Sequence, residues 1–304
     1  MSSEFLGLPF APIEPEDRPR LAELLTRHPQ PLSDYSPTSL VVWAPVCRHT
    51  YTIVEPDTLL VTTSSTRVPQ PCLLQPVGAF PESVAGMLLD RGRRLDRPLQ
   101  LESVSEEFLA RHSSFVAHFD VRPVRDSANY IYSATELAEL RGRRFASKRN
   151  LIAQASGLHA WSVERLTPKL VEACREVADD IASKRTAACS VTLDEETRAL
   201  EGALQMLGPL GLHGLLLRID GRPGAFSIVD RLSPTTAVVL FERALRREKG
   251  LYQLINRETA RVLVELGFTL VNREEDLGDP GLRRAKLSYF PARLEMKYTL
   301  TLRH

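Results

Sequence analysis

The same order of predicted strands and helices begins twice along this chain of 304 residues. Residues 10–14 alternate between apolar and polar side chains as a strand does, and residues 15–28 then carry apolar side chains at helical spacing. Residues 159–164 and 168–184 repeat that pair of patterns in the second half. A chain with such an internal repeat is expected to fold as two similar halves.

The remaining patterns extend the repeat over both halves. Further helices are predicted at 37–46, 81–94, 193–207 and 251–266, and further strands at 50–62, 72–77, 99–104, 118–124, 215–219, 225–230, 237–242, 269–272 and 297–302. Each half then has the order β-α-α-β-β-β-α-β, which is the layout of the GNAT acyltransferases. The sequence therefore predicts an α/β (α+β) fold of two tandem GNAT-like domains, each a mixed, mostly antiparallel sheet flanked by helices.

A basic segment separates the two halves. Ser133, followed three residues later by Glu136, forms a capping box that begins a helix. If that helix continues, Arg141, Arg144 and Lys148 lie on one of its faces, at positions i, i+3 and i+7. The predicted domains are thus 1–132, a basic connecting helix at 133–157, and 158–304, which carries the candidate site.

Composition excludes several classes of protein. The 43% hydrophobic content is sufficient for a core in each half. No apolar run approaches the roughly 20 residues of a membrane-spanning helix, and residues 1–4 do not begin a signal peptide. We therefore expect a cytoplasmic protein. The net charge is only +1, so a polyanionic partner has to bind a local basic patch.

Metal and nucleotide-binding motifs do not occur in the sequence. The histidines and cysteines lack metal-ligand spacing, and no glycine-rich phosphate-binding motif is present. We expect no metal site, and we expect reduced thiols at the four cysteines, which are Cys47, Cys72, Cys174 and Cys189.

The densest polar stretch, residues 271–286, follows a predicted strand. Its carboxylates are suited to general base chemistry, and its arginines and lysines to holding an anionic group. A solvated charged loop has the same composition, so both interpretations stay open.

A coenzyme A signature is incomplete in the second half. GNAT acetyltransferases place a Q/R-x-x-G-x-G/A loop around the pyrophosphate, and Arg247 and Gly250 match it. Tyr252 occupies the position of a small residue, and its bulk disfavours acetyl-coenzyme A as donor.

Two long segments resemble the C-terminal domain of phosphatidylglycerol lysyltransferase, residues 129–150 and 241–289. That family ends in a stretch similar to G-L-R-R-F-K-x-K-F-x-P. Here the corresponding stretch is Gly281-Leu282-Arg283-Arg284-Ala285-Lys286-Leu287-Ser288-Tyr289-Phe290-Pro291. The second lysine of the pattern is Ser288 in this chain, and the family's S-x-D-L-M-R-like motif aligns loosely with Glu242-Arg243 or with Glu242 and Arg246.

The resemblance implies a tandem GNAT fold related to the Fem-type transferases. It implies transfer of an aminoacyl group from aminoacyl-tRNA to a hydroxyl or amine acceptor, such as an anionic lipid or a small molecule, with no further cofactor. The implied catalytic residues are Glu242 and Glu274, the implied substrate-binding residues are Arg243, Arg246, Asn272, Arg273, Arg283 and Lys286, and the residues predicted to bind tRNA or another anion are Arg141, Arg144, Lys148 and Arg149.

Two other functions are compatible with the same residues. One is an acetyl-coenzyme A-dependent GNAT acetyltransferase, which Tyr252 disfavours. The other is a non-catalytic tandem-GNAT protein that binds an anionic ligand, which Ser288 favours because a positive charge of the family pattern is missing.

The basic segment generates a prediction about salt. Phosphate contacts release counterions, at about 0.9 per duplex contact or about 0.7 per single-strand contact. Neutralising Arg141, Arg144 and Lys148 together should therefore lower the slope of log affinity against log salt for tRNA by about 2 to 3 units. Thermal unfolding should change little. An unchanged slope, measured by filter binding over a salt series, would contradict the tRNA interpretation of these side chains.

Overall fold

The computed structural model describes residues 3–64, 70–183 and 190–303. The chain forms two compact units, of which the first comprises residues 1–129, 275–279 and 294–304 and the second comprises residues 130–274 and 280–293. These units interleave along the chain, whereas the domains predicted from the sequence follow one another. That sequential division stays a prediction.

The first unit contains strands and helices from the first half of the chain. In order they are β1 Ser3–Phe5, β2 Leu8–Pro12, α1 Arg18–Arg27, α2 Pro37–Cys47, β3 Thr50–Val54, β4 Thr58–Thr63, β5 Cys72–Leu74, β6 Val77–Gly78, α3 Glu82–Gly92, β7 Gln100–Ser105, α4 Glu106–Arg111, α5 Ser113–Val116 and the beginning of β8 Phe119–Ser133. The element order β2-α1-α2-β3-β4-β5-α3-β7 is the predicted β-α-α-β-β-β-α-β order.

The second unit begins with the end of β8 and has the same order from β9 to β13. Its elements are α6 Ala134–Glu139, α7 Ala146–Leu158, β9 Trp161–Arg165, α8 Val171–Ser183, α9 Ser190–Gln205, β10 His213–Ile219, β11 Arg222–Arg231, β12 Thr236–Ala244, α10 Leu251–Glu265, β13 Leu270–Asn272 and α11 Pro280–Leu287. The last strand, β14 Arg293–Leu302, returns to the first unit.

Each unit has a mixed, mostly antiparallel sheet. In the first unit the strand order is β1-β2-β3-β4-β5-β7-β14-β8, in which β5 and β7 are parallel. In the second unit the order is β8-β13-β12-β11-β10-β9, in which β12 and β13 are parallel and the other pairs antiparallel. The predicted fold class is confirmed in both units.

Apolar side chains from strands and helices form the core of each unit. In the first unit, Leu88 from α3 packs with Leu101 from β7 and Leu300 from β14. In the second unit, β11 carries seven consecutive buried residues, 224–230, because helices cover it. None of the described helices is both long and apolar enough to cross a membrane.

The described cysteines are free thiols. Burial raises the pKa of the Cys72 thiol and of the Cys174 thiol to about 12, so both stay protonated at neutral pH. Cys189 lies outside the described residues.

The basic connecting helix predicted at 133–157 is interrupted. α6 ends where Leu140 adopts a left-handed conformation, with φ 49°, and Gly142 follows with φ 86°. A single helical turn at Arg143–Phe145 buries the Phe145 ring before α7 begins. The i, i+3, i+7 spacing therefore fails for Arg141 and Arg144, because neither lies in the same helix as Lys148.

The buried face of α10 is not purely apolar. Leu251, Leu254 and Ile255 are buried, but the apolar Leu266 at the C-cap is 41% exposed. Thr259 takes a core position because its hydroxyl hydrogen-bonds the Ser227 hydroxyl on β11 at 2.6 Å. A hydrophobicity pattern does not detect a buried threonine of this kind.

Gly250 begins α10 and lies against α7. Its φ is 88°, and a Cβ added there would be 2.2 Å from the Leu151 carbonyl oxygen. Only glycine permits so close an approach. The glycine that resembles part of a coenzyme A signature therefore has a packing role in this fold.

Alanine substitutions at Gly250 and Gly267 should separate the cost of a left-handed backbone from the cost of steric crowding. Gly267 has φ 87° with no atom within 4 Å of an added Cβ. Gly267→Ala should lower the free energy of unfolding by about 1–2 kcal/mol through the left-handed backbone alone. Gly250→Ala should cost about 1–3 kcal/mol more, because the Leu151 carbonyl must move. If both variants lost the same unfolding free energy in urea, the close approach of Gly250 to the Leu151 carbonyl would be contradicted.

Candidate functional site

A tight turn follows β13 and orients the candidate site. The Asn272 Oδ1 atom accepts a hydrogen bond from the Glu274 backbone N–H at 2.8 Å, and Glu274 has φ 54°. The Arg273 N–H donates to the Tyr130 carbonyl at 3.0 Å, and the Tyr130 N–H donates to the Glu274 carbonyl at 3.1 Å. Arg273 is thus fixed by backbone bonds to the end of β8 before its side chain makes any contact.

The Arg273 side chain lies among polar and aromatic partners and is largely buried, with 14% of its surface exposed. Its Nη2 atom lies 2.9 Å from Glu242 Oε1 on β12. When the Asn256 amide on α10 presents its oxygen to Arg273, that oxygen accepts from Nη1 at 3.0 Å. The guanidinium carbon lies 5.7 Å from the centre of the Tyr132 ring and 5.3 Å from that of the Tyr289 ring. A cation held in this way has a fixed position and a fixed orientation.

Burial and the neighbouring charges shift the pKa values at this site in opposite directions. Burial alone disfavours the charged form of Arg273, but Glu242 nearby raises its pKa above the ordinary value. Burial raises the pKa of Tyr132 and of Tyr289 far above the usual range, although the charge of Arg273 acts in the opposite direction. Both phenols therefore stay neutral, and the Tyr132 hydroxyl donates to the Lys286 carbonyl at 2.9 Å.

Two lysines complete the cluster in the second unit. Lys286 on α11 is buried, and its ammonium donates to the Arg273 carbonyl and lies 5.5 Å from the centre of the Tyr130 ring. Lys148 on α7 donates to the Ser288 hydroxyl at 2.6 Å and lies 4.4 Å from the centre of the Tyr289 ring. We call the set Glu242, Arg273, Asn256, Lys286, Lys148, Tyr130, Tyr132 and Tyr289 the Arg273 cluster.

Comparison with known proteins identifies the family. The sequence model of the family described as phosphatidylglycerol lysyltransferase, C-terminal, matches residues 26–301. The chain belongs to this family. No curated protein matches its sequence.

Solved structures share the fold over nearly the whole chain. A conserved protein of unknown function from Bacteroides thetaiotaomicron VPI-5482 is 28% identical, with a TM-score of 0.90 over 97% of this chain and 100% of that one. L-PGS from Bacillus licheniformis is 13% identical, with a TM-score of 0.65 over 93% and 91%. A tandem GNAT protein from the clavulanic acid biosynthesis pathway is 12% identical, with a TM-score of 0.53 over 96% and 98%. These likenesses support the tandem GNAT fold.

The cluster includes some of the residues that the family resemblance suggests. Glu242, Arg273 and Lys286 come together, and Asn272 and Glu274 form the adjoining turn. Arg283 is half-exposed on α11.

The other suggested cations have separate contacts or lie at the surface. Arg243 pairs with Glu196 at 2.6 Å, and Arg246 is exposed. Arg141 pairs with Glu139 at 3.0 Å. Arg144 pairs with Glu136, and Arg149 donates to the Leu140 carbonyl. Of the residues assigned to tRNA, Lys148 alone belongs to the Arg273 cluster.

Sequence reasoning did not assign a site role to the aromatic and amide members of the cluster. Tyr130 and Tyr132 stand two residues apart on β8, a spacing that places both on one face of a strand. That signal was present in the sequence. Asn256 and Tyr289 gave no comparable signal, because their partners are remote in the chain.

The acidic residues after the turn belong to the first unit and have their own partners. Asp276 is fully buried and accepts from Arg125 at 3.2 Å. Glu275 lies 3.4 Å from Lys297, whose ammonium is also 2.6 Å from Asp34. The stretch at 271–286 is therefore ordered and largely paired, so it is not a solvated charged loop. Among the described residues, no group of histidine, cysteine or acidic side chains is arranged to hold a metal.

A double-mutant cycle tests the central ion pair. Glu242→Ala leaves a buried guanidinium without its carboxylate, and Arg273→Ala leaves the carboxylate without its cation. Each should lower the free energy of unfolding by about 3–5 kcal/mol, and the double mutant should lose clearly less than the sum. Arg141→Ala breaks an exposed pair and should cost about 0–1 kcal/mol. If the losses of unfolding free energy measured in urea were additive, the ion pair between Glu242 and Arg273 would be contradicted.

Proposed function

We propose that the protein transfers an aminoacyl group from aminoacyl-tRNA to a hydroxyl or amine acceptor. The proposal is supported by membership of the phosphatidylglycerol lysyltransferase C-terminal family and by the chemistry of the Arg273 cluster. The acceptor fits either an anionic lipid or a small molecule. Aminoacyl-tRNA is the donor, and no other cofactor is required; because charged tRNA is a cytoplasmic substrate, we place the protein there.

The fixed position of the Arg273 guanidinium is the observation that carries this proposal. Attack on an aminoacyl ester converts its carbonyl oxygen into an oxyanion, and a preorganised cation stabilises that charge without rearrangement. A guanidinium has five N–H donors, and the contacts to Glu242 and Asn256 do not use all of them. Arg273 therefore has the charge and the remaining donor capacity for an oxyanion.

The two carboxylates assigned from the sequence take different roles in this scheme. Glu242 is bonded to Arg273 and orients it. Glu274 directly follows Arg273 in the turn, so we assign it as the base that receives the proton of the attacking hydroxyl or amine. The ester bond to the tRNA then breaks, and Glu274 returns the proton to the departing ribose oxygen. Lys286 holds the Arg273 carbonyl and thereby keeps the turn in place.

Labelled amino acids charged onto a tRNA mixture provide the assay. Glu274→Gln should lower transfer to extracted lipids and small molecules by about 10²–10⁴-fold, as expected for loss of a general base. Arg273→Lys should lower it by about 10²–10³-fold through loss of oxyanion contacts. Glu265→Gln and Arg222→Lys, which alter exposed residues elsewhere in the second unit, are matched controls and should leave transfer unchanged.

The same extracts distinguish the alternatives. Transfer of a labelled acetyl group from acetyl-coenzyme A, without transfer from tRNA, would identify an acetyltransferase. Full transfer from tRNA in both Glu274→Gln and Arg273→Lys would refute the assigned roles. Urea unfolding of each variant shows whether lost activity reflects lost structure.

A further inference from the structure

Lys148 occupies an electrostatically unfavourable position. It is the third residue of α7, and Phe145 at the N-cap supplies no side-chain hydrogen bond. The first turn of a helix carries a partial positive charge, which disfavours a lysine and favours an anion. The ammonium therefore adds a second positive charge where the helix already presents one.

The surroundings of Lys148 do not neutralise it. Its contacts within the described chain are the Ser288 hydroxyl at 2.6 Å and the Tyr289 ring, with no carboxylate within ion-pair distance. Burial, and then the charge of Arg273, lower the pKa of the half-buried ammonium. Lys297 in the first unit is buried too, but two carboxylates compensate its charge.

An exposed aromatic ring follows closely in the chain after Ser288, the serine that the Lys148 ammonium contacts. Phe290 follows Ser288 by two residues and is 41% exposed. Its φ is 54°, a conformation that costs a bulky residue about 1–2 kcal/mol. The ring packs edge-on against Phe145 at 5.5 Å, and the Arg144 guanidinium lies 5.3 Å from its centre.

A cation without a counterion beside an exposed ring fits one ligand chemistry. Single-stranded nucleic acid presents phosphates to cations and base faces to aromatic side chains. We propose that Lys148, Ser288 and Phe290 form a subsite for a nucleotide at the 3′ end of the donor RNA. Lys148 and Ser288 hold its phosphate, and Phe290 stacks on its base. The inference rests on the proposed function, which supplies the RNA donor.

The subsite places the donor beside the reacting groups. The ammonium of Lys148 and the guanidinium of Arg273 contact the same Tyr289 ring, at 4.4 and 5.3 Å from its centre. A phosphate bound at Lys148 is therefore close to the cation assigned to the oxyanion. The position at which the family pattern has a second lysine is Ser288 in this chain, and the Lys148 ammonium on α7 reaches that serine at 2.6 Å.

Binding of a 5′-phosphorylated CCA trinucleotide tests the subsite without requiring catalysis. Lys148→Met should weaken binding of the trinucleotide by roughly 10- to 100-fold, as for loss of a charged hydrogen bond. Phe290→Leu should weaken it by roughly 5- to 100-fold through loss of stacking. Arg165→Met removes an exposed, paired cation of the second unit and is the matched control, expected to bind as the unaltered protein does.

A compensating double variant shows whether weaker binding comes from the lost charge or from a misfolded protein. The double variant carries Lys148→Met and Ser288→Lys, so that position 288 supplies the ammonium. Its affinity for the trinucleotide should lie within roughly threefold of that of the unaltered protein. Restoration supports the subsite, since a misfolded protein is not rescued by a second substitution. Trinucleotide binding by Lys148→Met equal to that of the unaltered protein would overturn it.

Glycerol 3-phosphate and inorganic phosphate identify the source of the phosphate. If Lys148→Met weakens their binding but Phe290→Leu leaves trinucleotide binding intact, the site holds a headgroup or free phosphate, and the nucleotide assignment is wrong. A protein that binds the trinucleotide through Lys148 and Phe290 but transfers no aminoacyl group would support the subsite and refute the transferase. These experiments therefore distinguish failure of the nucleotide subsite from failure of the proposed transferase function.

Discussion

The structure of the second unit depends on the largely buried charge of Arg273, which has to be compensated. A guanidinium stays protonated under all physiological conditions, so it must find compensation wherever the fold places it. That compensation comes from Glu242 on β12, Asn256 on α10 and the tyrosine rings at positions 132 and 289. The parallel pairing of β13 with β12 brings Arg273, in the turn after β13, close to the strand that carries its carboxylate. Loss of Glu242 would leave the guanidinium without its counterion.

The two units treat buried charge differently. In the first unit, Lys297 is held by Asp34 and Glu275, and Asp276 by Arg125, so each ion has an opposite partner. In the second unit, Glu242 compensates Arg273, whereas the printed contacts of Lys148 with the described residues are to the Ser288 hydroxyl and the Tyr289 ring. The first pattern stabilises a fold, whereas the second leaves attraction for an anion. This contrast is the physical basis for placing substrate chemistry in the second unit.

Fold similarity and function are separate questions for this chain. The tandem GNAT protein and L-PGS share the fold at identities of 12% and 13%, which establishes architecture alone. The glycine that helps GNAT acetyltransferases approach a pyrophosphate instead lets α10 approach the Leu151 carbonyl here. Function has to be argued from the Arg273 cluster, where the charges, the donors and the neutral phenols have fixed geometry.

The sequence by itself determined the element order, the repeat, the fold class and the family resemblance. The element order and the repeat follow from local periodicity, since a helix such as α10 or a strand such as β12 needs few distant residues to be predicted, whereas the family resemblance rests on the residues of two segments. It also indicated Glu242, Arg273 and Lys286 as site residues. It wrongly continued one helix through Leu140 and Gly142, because the burial of Phe145 that accompanies the break is a tertiary effect. Only the tertiary structure paired Arg273 with a carboxylate 31 residues away, and Lys148 with a serine 140 residues away. Such contacts depend on strand order and helix packing, which bring together side chains that no local pattern relates.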